Sequence, residues 1–169
     1  MPDLAAINRM EAEPFEALLG GVFEHAAWVA RAAWERRPFA SIADLHGAMM
    51  EAVRAAPGQT RRAFLNGHPE LAGPEVRARS LTADSASEQG SGGLDRMTET
   101  EAAAFDRLNA AYRARFGFPF IIAVRGRSRA EILAVFEGRL DRDQAAEEAT
   151  ALDEVAQITR LRLDRLIDA

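Results

Sequence analysis

The chain has 169 residues, a formal net charge of −5 and 48% hydrophobic residues, which is the composition of one ordinary globular domain. It contains no cysteine and all 21 basic residues are arginine, which excludes disulfides, thiolate chemistry and a lysine Schiff base. The only histidines are His25, His46 and His68, and their spacing argues against a zinc or iron site.

The acidic balance argues against a nucleic-acid partner. No run approaches the roughly 18 apolar residues that would span a membrane. The first residues, Met1-Pro2-Asp3, lack the basic and apolar regions of a signal peptide. We therefore expect a cytoplasmic protein with neither a membrane nor a nucleic acid as partner.

Helical periodicity runs through most of the chain. An amphipathic segment from Phe23 to Trp34 should end before Pro38, because a residue that precedes proline avoids the α region. Capping residues followed by apolar residues at helical spacing predict four further helices, which begin at Ser41, Thr98, Ser128 and Asp143. Both His25 and His46 are expected on helices.

Strand signals are few. The short apolar run at 118–124, FPFIIAV, has no second run with which to pair, so we expect a buried segment there. The predicted fold is all-α, a single compact bundle of about eight helices that forms one domain over residues 1–169.

Two segments break the helical pattern. Residues 66–74 (NGHPELAGP) and 85–95 (SASEQGSGGLD) are rich in Gly, Ser and Pro, which predicts loops. Catalytic groups often lie on loops that a rigid scaffold holds in place.

The first loop carries His68 between a predicted helix end at Asn66-Gly67 and Pro69. This placement predicts a stiff corner with the ring of His68 turned outward. A histidine pKa near 6.5 suits general acid–base catalysis. The alternative is a surface or helix-capping histidine.

The second loop carries Ser85, Glu88 and Gln89. If this loop makes one helical turn, Ser85 and Glu88 share a face, which would group a hydroxyl, a carboxylate and an amide. Taken alone, the motif favours the alternative of a flexible, solvated loop.

Two arginines lie at opposite edges of the apolar stripe of the last helix. Arg160 faces Asp164 at i+4, which is typical of a solvated ion pair. Arg162 lies among apolar residues, so it needs an anion, either an internal carboxylate or a ligand. The two possibilities are equally compatible with the sequence.

Several motifs, taken in order, resemble the 2-oxo-4-hydroxy-4-carboxy-5-ureidoimidazoline (OHCU) decarboxylases. The resemblance covers residues 8–167 and is specific in the combination rather than in any one piece. The matching pieces are Asn8, GGVFEHAAWV (20–29), RPF (37–39), HPELAG (68–73), SASEQGSGGL (85–94), FGFPFIIAVRG (116–126) and ITRLRLDRL (158–166).

The resemblance implies an all-α homodimer that needs no metal or organic cofactor and that decarboxylates OHCU to (S)-allantoin in urate degradation. It makes His68 the catalytic acid/base, with Glu88 and Arg162 as its partners. The residues that it implies for the substrate pocket are Pro69, Ser85, Gln89, Phe120, Ile121 and Ile122.

This reaction is compatible with a chain that has neither lysine nor cysteine. The substrate carboxylate leaves from a carbon bonded to an imine carbon, so the substrate supplies its own electron sink. The protein has only to orient groups and move protons. Two alternatives stay open: a non-enzymatic helical ligand-binding or interaction module, and a hydrolase of a related ureide.

Overall fold

A computed structural model of the chain describes residues 1–73 and 81–168. Pro74, the last residue of the predicted loop 66–74, lies outside the described residues. The all-α prediction is confirmed, because the described residues form nine α-helices and contain only an isolated β-bridge between Asp3 and Asp168. The helices are α1 (Leu4–Arg9), α2 (Ala12–Leu19), α3 (Ala27–Trp34), α4 (Ile42–Ala55), α5 (Gly58–Asn66), α6 (Ala83–Ser91), α7 (Glu99–Phe116), α8 (Arg129–Arg139) and α9 (Gln144–Leu163).

The described residues group into two compact units. The first unit contains residues 1–67 and 156–168, and the second contains residues 68–155. Helix α9 contributes residues to both units. That the chain forms a single domain stays a prediction. No helix in the described ranges is long and apolar enough to cross a membrane.

In the first unit, α3 packs against α2 and α4. Helix α4 begins as predicted, with the Ser41 hydroxyl accepting the Asp44 N–H at 3.0 Å. The fully buried core side chains of this unit include Ile7, Phe15, Leu19, Val29, Leu45, Met49 and Val53.

The predicted helix from Phe23 to Trp34 is wrong in its first four residues, because α3 begins only at Ala27. Residues 20–26 form a turn, and His25 within it has a φ of 55°. A left-handed residue cannot continue a right-handed helix. His25 is therefore an exposed turn residue, whereas His46 lies on α4 as predicted.

In the second unit, α7 packs against α8, and both begin with the predicted capping boxes, Thr98 with Glu101 and Ser128 with Glu131. The hydrogen bond from the Thr98 backbone N–H is the main cause that lowers the pKa of Glu101. Gly117 ends α7 in the left-handed conformation, with a φ of 76°. The run at 118–124 is buried throughout, as predicted, and the structure shows that it is not helical.

The predicted loop at 85–95 is wrong over residues 85–91, which belong to α6. Thr82 caps this helix by accepting the Ser85 N–H at 3.4 Å, and the Ala86 N–H bonds the Thr82 carbonyl at 2.9 Å. Ser and Gly are weak helix formers, but burial of one helix face overrides such local preferences. The segment 68–73 is non-helical, in agreement with the prediction of a loop.

Candidate active site

His68 follows directly on the end of α5. That helix ends at Asn66, and Gly67 caps it with N–H bonds to the carbonyls of Ala63 and Phe64 at 3.1 and 3.0 Å. The predicted corner at His68 is therefore present. The expectation that the ring turns outward is wrong, because His68 is only 7% exposed. His68 is therefore not a surface histidine.

Helix α6 has one polar face that is largely buried. Ser85, Glu88 and Gln89 are spaced i, i+3 and i+4, so they share one side of the helix. Ser85 and Gln89 are buried and Glu88 is half-buried, whereas the intervening Ala86 and Ser87 are exposed. The predicted grouping of a hydroxyl, a carboxylate and an amide on one face is therefore realised on a regular helix rather than in a loop.

Gln89 joins α6 to the loop that carries His68. Its side-chain Oε1 accepts the Ala72 N–H at 2.8 Å in a buried position. Because the oxygen of the amide is thereby identified, the Nε2 group is a donor that points away from Ala72. No hydrogen-bond partner of Nε2 occurs within residues 1–73 and 81–168. Gln89 can therefore donate to a bound molecule.

Ala72 has an unusual backbone conformation at this contact, with a φ of 54°. A left-handed conformation costs an alanine roughly 1–2 kcal/mol. Such strain persists only where surrounding contacts enforce it, and it is frequent at functional sites. A second buried contact, from Asn109 Nδ2 to the Leu71 carbonyl at 2.8 Å, holds the same turn.

Helix α6 also contacts the buried run at 118–124. A Cβ atom added to Gly92, which caps the helix, would lie 3.2 Å from the Cβ of Val124. Only glycine allows this close approach without displacing its neighbour. Helix α6 therefore touches both the His68 loop, through Gln89, and the 118–124 segment, through Gly92.

Phe120, Ile121 and Ile122 are buried, at 1%, 4% and 3% exposure. Their three N–H groups have no hydrogen-bond partner in the part of the chain that the structure describes. Buried backbone donors are almost always satisfied, so donors left open in this way are suited to binding a ligand. These are the residues whose backbone the family resemblance implies for the substrate pocket.

Arg162 lies in the first unit and is 3% exposed. Its Nη1 donates to the Val22 carbonyl at 3.2 Å, and its Nη2 lies 3.4 Å from Oε2 of Glu24, which is also buried. By contrast, Arg160 is 40% exposed and pairs with Asp164 at 2.9 Å. The predicted difference between the two arginines is confirmed, and the internal carboxylate that Arg162 contacts is Glu24.

The sequence reasoning missed Glu24 and the buried Arg139. The usable signal for Glu24 was a carboxylate within the apolar stretch GGVFEHAAWV. Arg139 lies three residues after the buried Phe136 on α8, so it continues the apolar stripe of that helix. The reasoning that predicted burial of Arg162 applies equally to Arg139.

His46 is the one helical histidine in the described ranges. Its Nε2 lies 2.9 Å from the Thr159 hydroxyl, and burial lowers its pKa, with a further lowering by the nearby Arg160. Within the described residues, no three or more His, Asp or Glu side chains are grouped so that they could hold a metal ion.

The fold and these contacts define an all-α protein with a buried histidine and a polar helix face linked to it through one loop. The model of the OHCU decarboxylase family matches residues 8–164. The chain belongs to this family, and its activity is that of a decarboxylase.

Individual relatives agree with the family match. The OHCU decarboxylase of Haloferax volcanii is 39% identical over 160 residues, which is 95% of this chain and 93% of that protein. The OHCU decarboxylase of Amia calva is 38% identical over 165 residues, 98% of this chain and 94% of that protein. A crystal structure of (S)-allantoin synthase matches with a TM-score of 0.79 at 28% identity; it covers 98% of this chain, which spans about half (54%) of that structure's chain.

Proposed function

We propose that this protein converts OHCU to (S)-allantoin in urate degradation, with His68, Glu88 and Arg162 as its catalytic residues. The observation that carries the proposal is the double contact of α6. Through Gln89 this helix touches the loop of His68, and through Gly92 it touches the segment that contains the open backbone donors. Family membership supplies the reaction to which this arrangement is assigned.

The reaction can be written without an external electron acceptor. The bond between C4 and the carboxylate breaks, and its electron pair forms a double bond between C4 and C5. The imine pair of the ring then moves onto nitrogen, which takes up a proton, and CO2 leaves. The enol that results loses its hydroxyl proton and gains a proton at C5, which gives the carbonyl and the stereocentre of allantoin.

His68 carries the proton transfer in this scheme. Its side chain is buried, which limits access of bulk water, and an imidazole can both donate and accept a proton. His68 exchanges a proton with the substrate hydroxyl or with the enol. Glu88, half-buried on the polar face of α6, orients the imidazole or the ureido N–H groups.

Arg162 orients an anionic or carbonyl group with its planar fork of donors. Its buried pairing with Glu24 keeps the guanidinium from carrying an uncompensated charge in the interior. This pairing also fixes the plane of the fork, since Nη1 and Nη2 are held by two different acceptors.

The pocket residues supply binding rather than chemistry. The Gln89 Nε2 group and the N–H groups of Phe120, Ile121 and Ile122 are donors for the carbonyl oxygens of the ureide. Ser85 adds a buried hydroxyl, and Pro69 restricts the backbone next to His68. We further propose that the protein acts as a cytoplasmic homodimer without a metal or organic cofactor.

The decisive experiment follows CO2 release and the chirality of allantoin with freshly prepared OHCU. Because the substrate also decays without an enzyme, both the rate and the enantiomeric excess are measured against a blank. We expect a faster reaction that yields only the S enantiomer. A racemic product at the blank rate would contradict the proposal and leave a non-enzymatic helical binding module as the better reading.

A further inference from the structure

A buried charged cluster lies behind the 118–124 segment in the second unit. Arg139 and Glu147 are 5% and 0% exposed, and Nε of Arg139 lies 2.5 Å from Oε1 of Glu147. The hydroxyl of Tyr112 donates to the same oxygen at 2.5 Å. Burial is the main cause that raises the pKa of Tyr112, and this hydrogen bond raises it further. The phenol therefore keeps its proton.

This cluster binds the 118–124 segment at one peptide group. The Nη1 group of Arg139 donates to the Ile121 carbonyl at 2.7 Å. The guanidinium carbon also lies 4.4 Å from the centre of the Phe120 ring, which stacks on Phe136 at 3.8 Å between centroids. The segment has no helical hydrogen bonds of its own, so side-chain contacts of this kind set its position.

A second charged side chain accepts a hydrogen bond from the next peptide group. Oε2 of Glu154 accepts the Ala123 N–H at 2.7 Å. Glu154 is 12% exposed on its side chain, and its other oxygen lies 3.9 Å from Arg127. Two oppositely charged residues therefore hold the two peptide groups on either side of Ile122.

Peptide geometry converts these contacts into a fixed orientation for Ile122. In a trans peptide the C=O of one residue and the N–H of the next point in opposite directions. When Arg139 holds the Ile121 C=O, the Ile122 N–H points away from Arg139. When Glu154 holds the Ala123 N–H, the Ile122 C=O points away from Glu154.

The Ile122 N–H and C=O have no hydrogen-bond partner within the described ranges, although Ile122 is only 3% exposed. A ureido group carries both N–H donors and a C=O acceptor, so it can satisfy a donor and an acceptor presented by one residue. We infer that Arg139 and Glu154 are positioning residues that orient the Ile122 backbone to bind the ureido group of the substrate. This inference rests on the proposed function.

Stability alone gives a weaker account of the cluster. A buried ion pair is often no more stabilising than apolar residues of the same volume, because desolvation offsets the attraction between the charges. Orientation of a binding peptide, by contrast, requires a directional donor such as the fork of Arg139.

The test uses Arg139→Lys, which keeps the charge opposite Glu147 but lacks the fork that reaches Ile121. Arg142→Lys is the matched control, because Arg142 lies 3.5 Å from Oε2 of the same Glu147 and is 41% exposed. Since ureido binding is equal in the ground and transition states, we expect KM to rise up to about tenfold in Arg139→Lys with little change in kcat. The control should leave both constants unchanged.

Hydrogen exchange supplies a readout that a merely structural role would not move. Saturating (S)-allantoin, which retains the ureido group, should protect the amides of 118–124 in the wild type and in Arg142→Lys. The protection should be lost in Arg139→Lys at temperatures well below its melting point. If Arg139→Lys fails to fold, Glu154→Leu tests the same prediction from the other peptide group.

The outcomes separate this inference from the proposed function. A wild type that decarboxylates OHCU but shows no protection of 118–124 by (S)-allantoin would overturn the ureido site and leave the decarboxylase intact. If a folded Arg139→Lys or Glu154→Leu variant keeps both the wild-type KM and the wild-type protection of 118–124 by (S)-allantoin, the positioning role is overturned. A wild type without decarboxylase activity would contradict the proposed function itself.

Discussion

Arg162→Lys and Arg160→Lys should have different effects, although the two residues are two positions apart on one helix. Arg162 is buried and uses two nitrogens on two acceptors, the Val22 carbonyl and the Glu24 carboxylate. Lysine keeps the charge, but it is a point charge and cannot reproduce the planar fork. Arg160 pairs with Asp164 at an exposed position, where water screens the two charges.

The magnitudes follow from these contacts. A hydrogen bond to a charged group contributes about 1.5–3 kcal/mol. Loss of one such contact to the substrate lowers kcat/KM about ten- to hundredfold. If loss of the Glu24 pairing lowers the free energy of unfolding by the same amount, about 1.5–3 kcal/mol, Tm falls by about 3–12 °C in a protein of this length. Arg160→Lys should change the free energy of unfolding by less than about 1 kcal/mol and leave kcat/KM unaffected.

The assay compares kcat/KM with fresh OHCU, the affinity for (S)-allantoin and Tm for both variants. A fall in kcat/KM and in allantoin affinity confined to Arg162→Lys supports its place in the site. If Arg162→Lys lowers Tm but leaves both quantities at the wild-type values, Arg162 is only the structural partner of Glu24. Equal, small effects in the two variants would refute the assignment as well.

Four further predictions concern the chemistry and the histidines. Activity should survive exhaustive chelation without added cofactor, and a loss that zinc restores would contradict the cofactor-free proposal. His68→Ala should fold normally but lose roughly a hundred- to ten-thousandfold in kcat, whereas wild-type turnover would exclude it as the acid/base. Glu88→Gln should lower kcat strongly with little change in Tm, and the reverse pattern would mark Glu88 as structural. Burial lowers the pKa of His46 in the folded protein, so its stabilising contribution is present above the unfolded pKa of about 6.5 and is lost as pH falls through the lower folded pKa. His46→Gln should therefore reduce the fall of Tm in mildly acidic buffer, and an unchanged Tm–pH curve would count against this.

Local signals in the sequence predicted much of the fold. The caps at Thr98 and Ser128 were readable because each joins residues only three positions apart. The burial of Arg162 and the exposure of Arg160 followed from helical periodicity alone, once the last helix was recognised. The site residues came from a resemblance spread over the chain rather than from any one local pattern.

The predictions from the sequence were wrong at two positions where tertiary burial overrode the local conformational preference of the residues. The Ser- and Gly-rich stretch that contains Glu88 forms a helix, and one face of that helix, with Ser85 and Gln89, is buried. His68 turned inward although its neighbours, Gly67 and Pro69, signalled only a corner.

Only the tertiary structure decided which partners the buried polar groups have. Arg162 meets Glu24 across 138 residues of sequence, and Gln89 meets Ala72 across 17. Arg139 and Glu154 reach the peptide groups that flank Ile122 from two different helices. Periodicity shows that a polar side chain is buried, because it reports the face of one helix. It cannot show the partner, because a buried polar group is satisfied by whatever acceptor or donor folding brings to it from elsewhere in the chain.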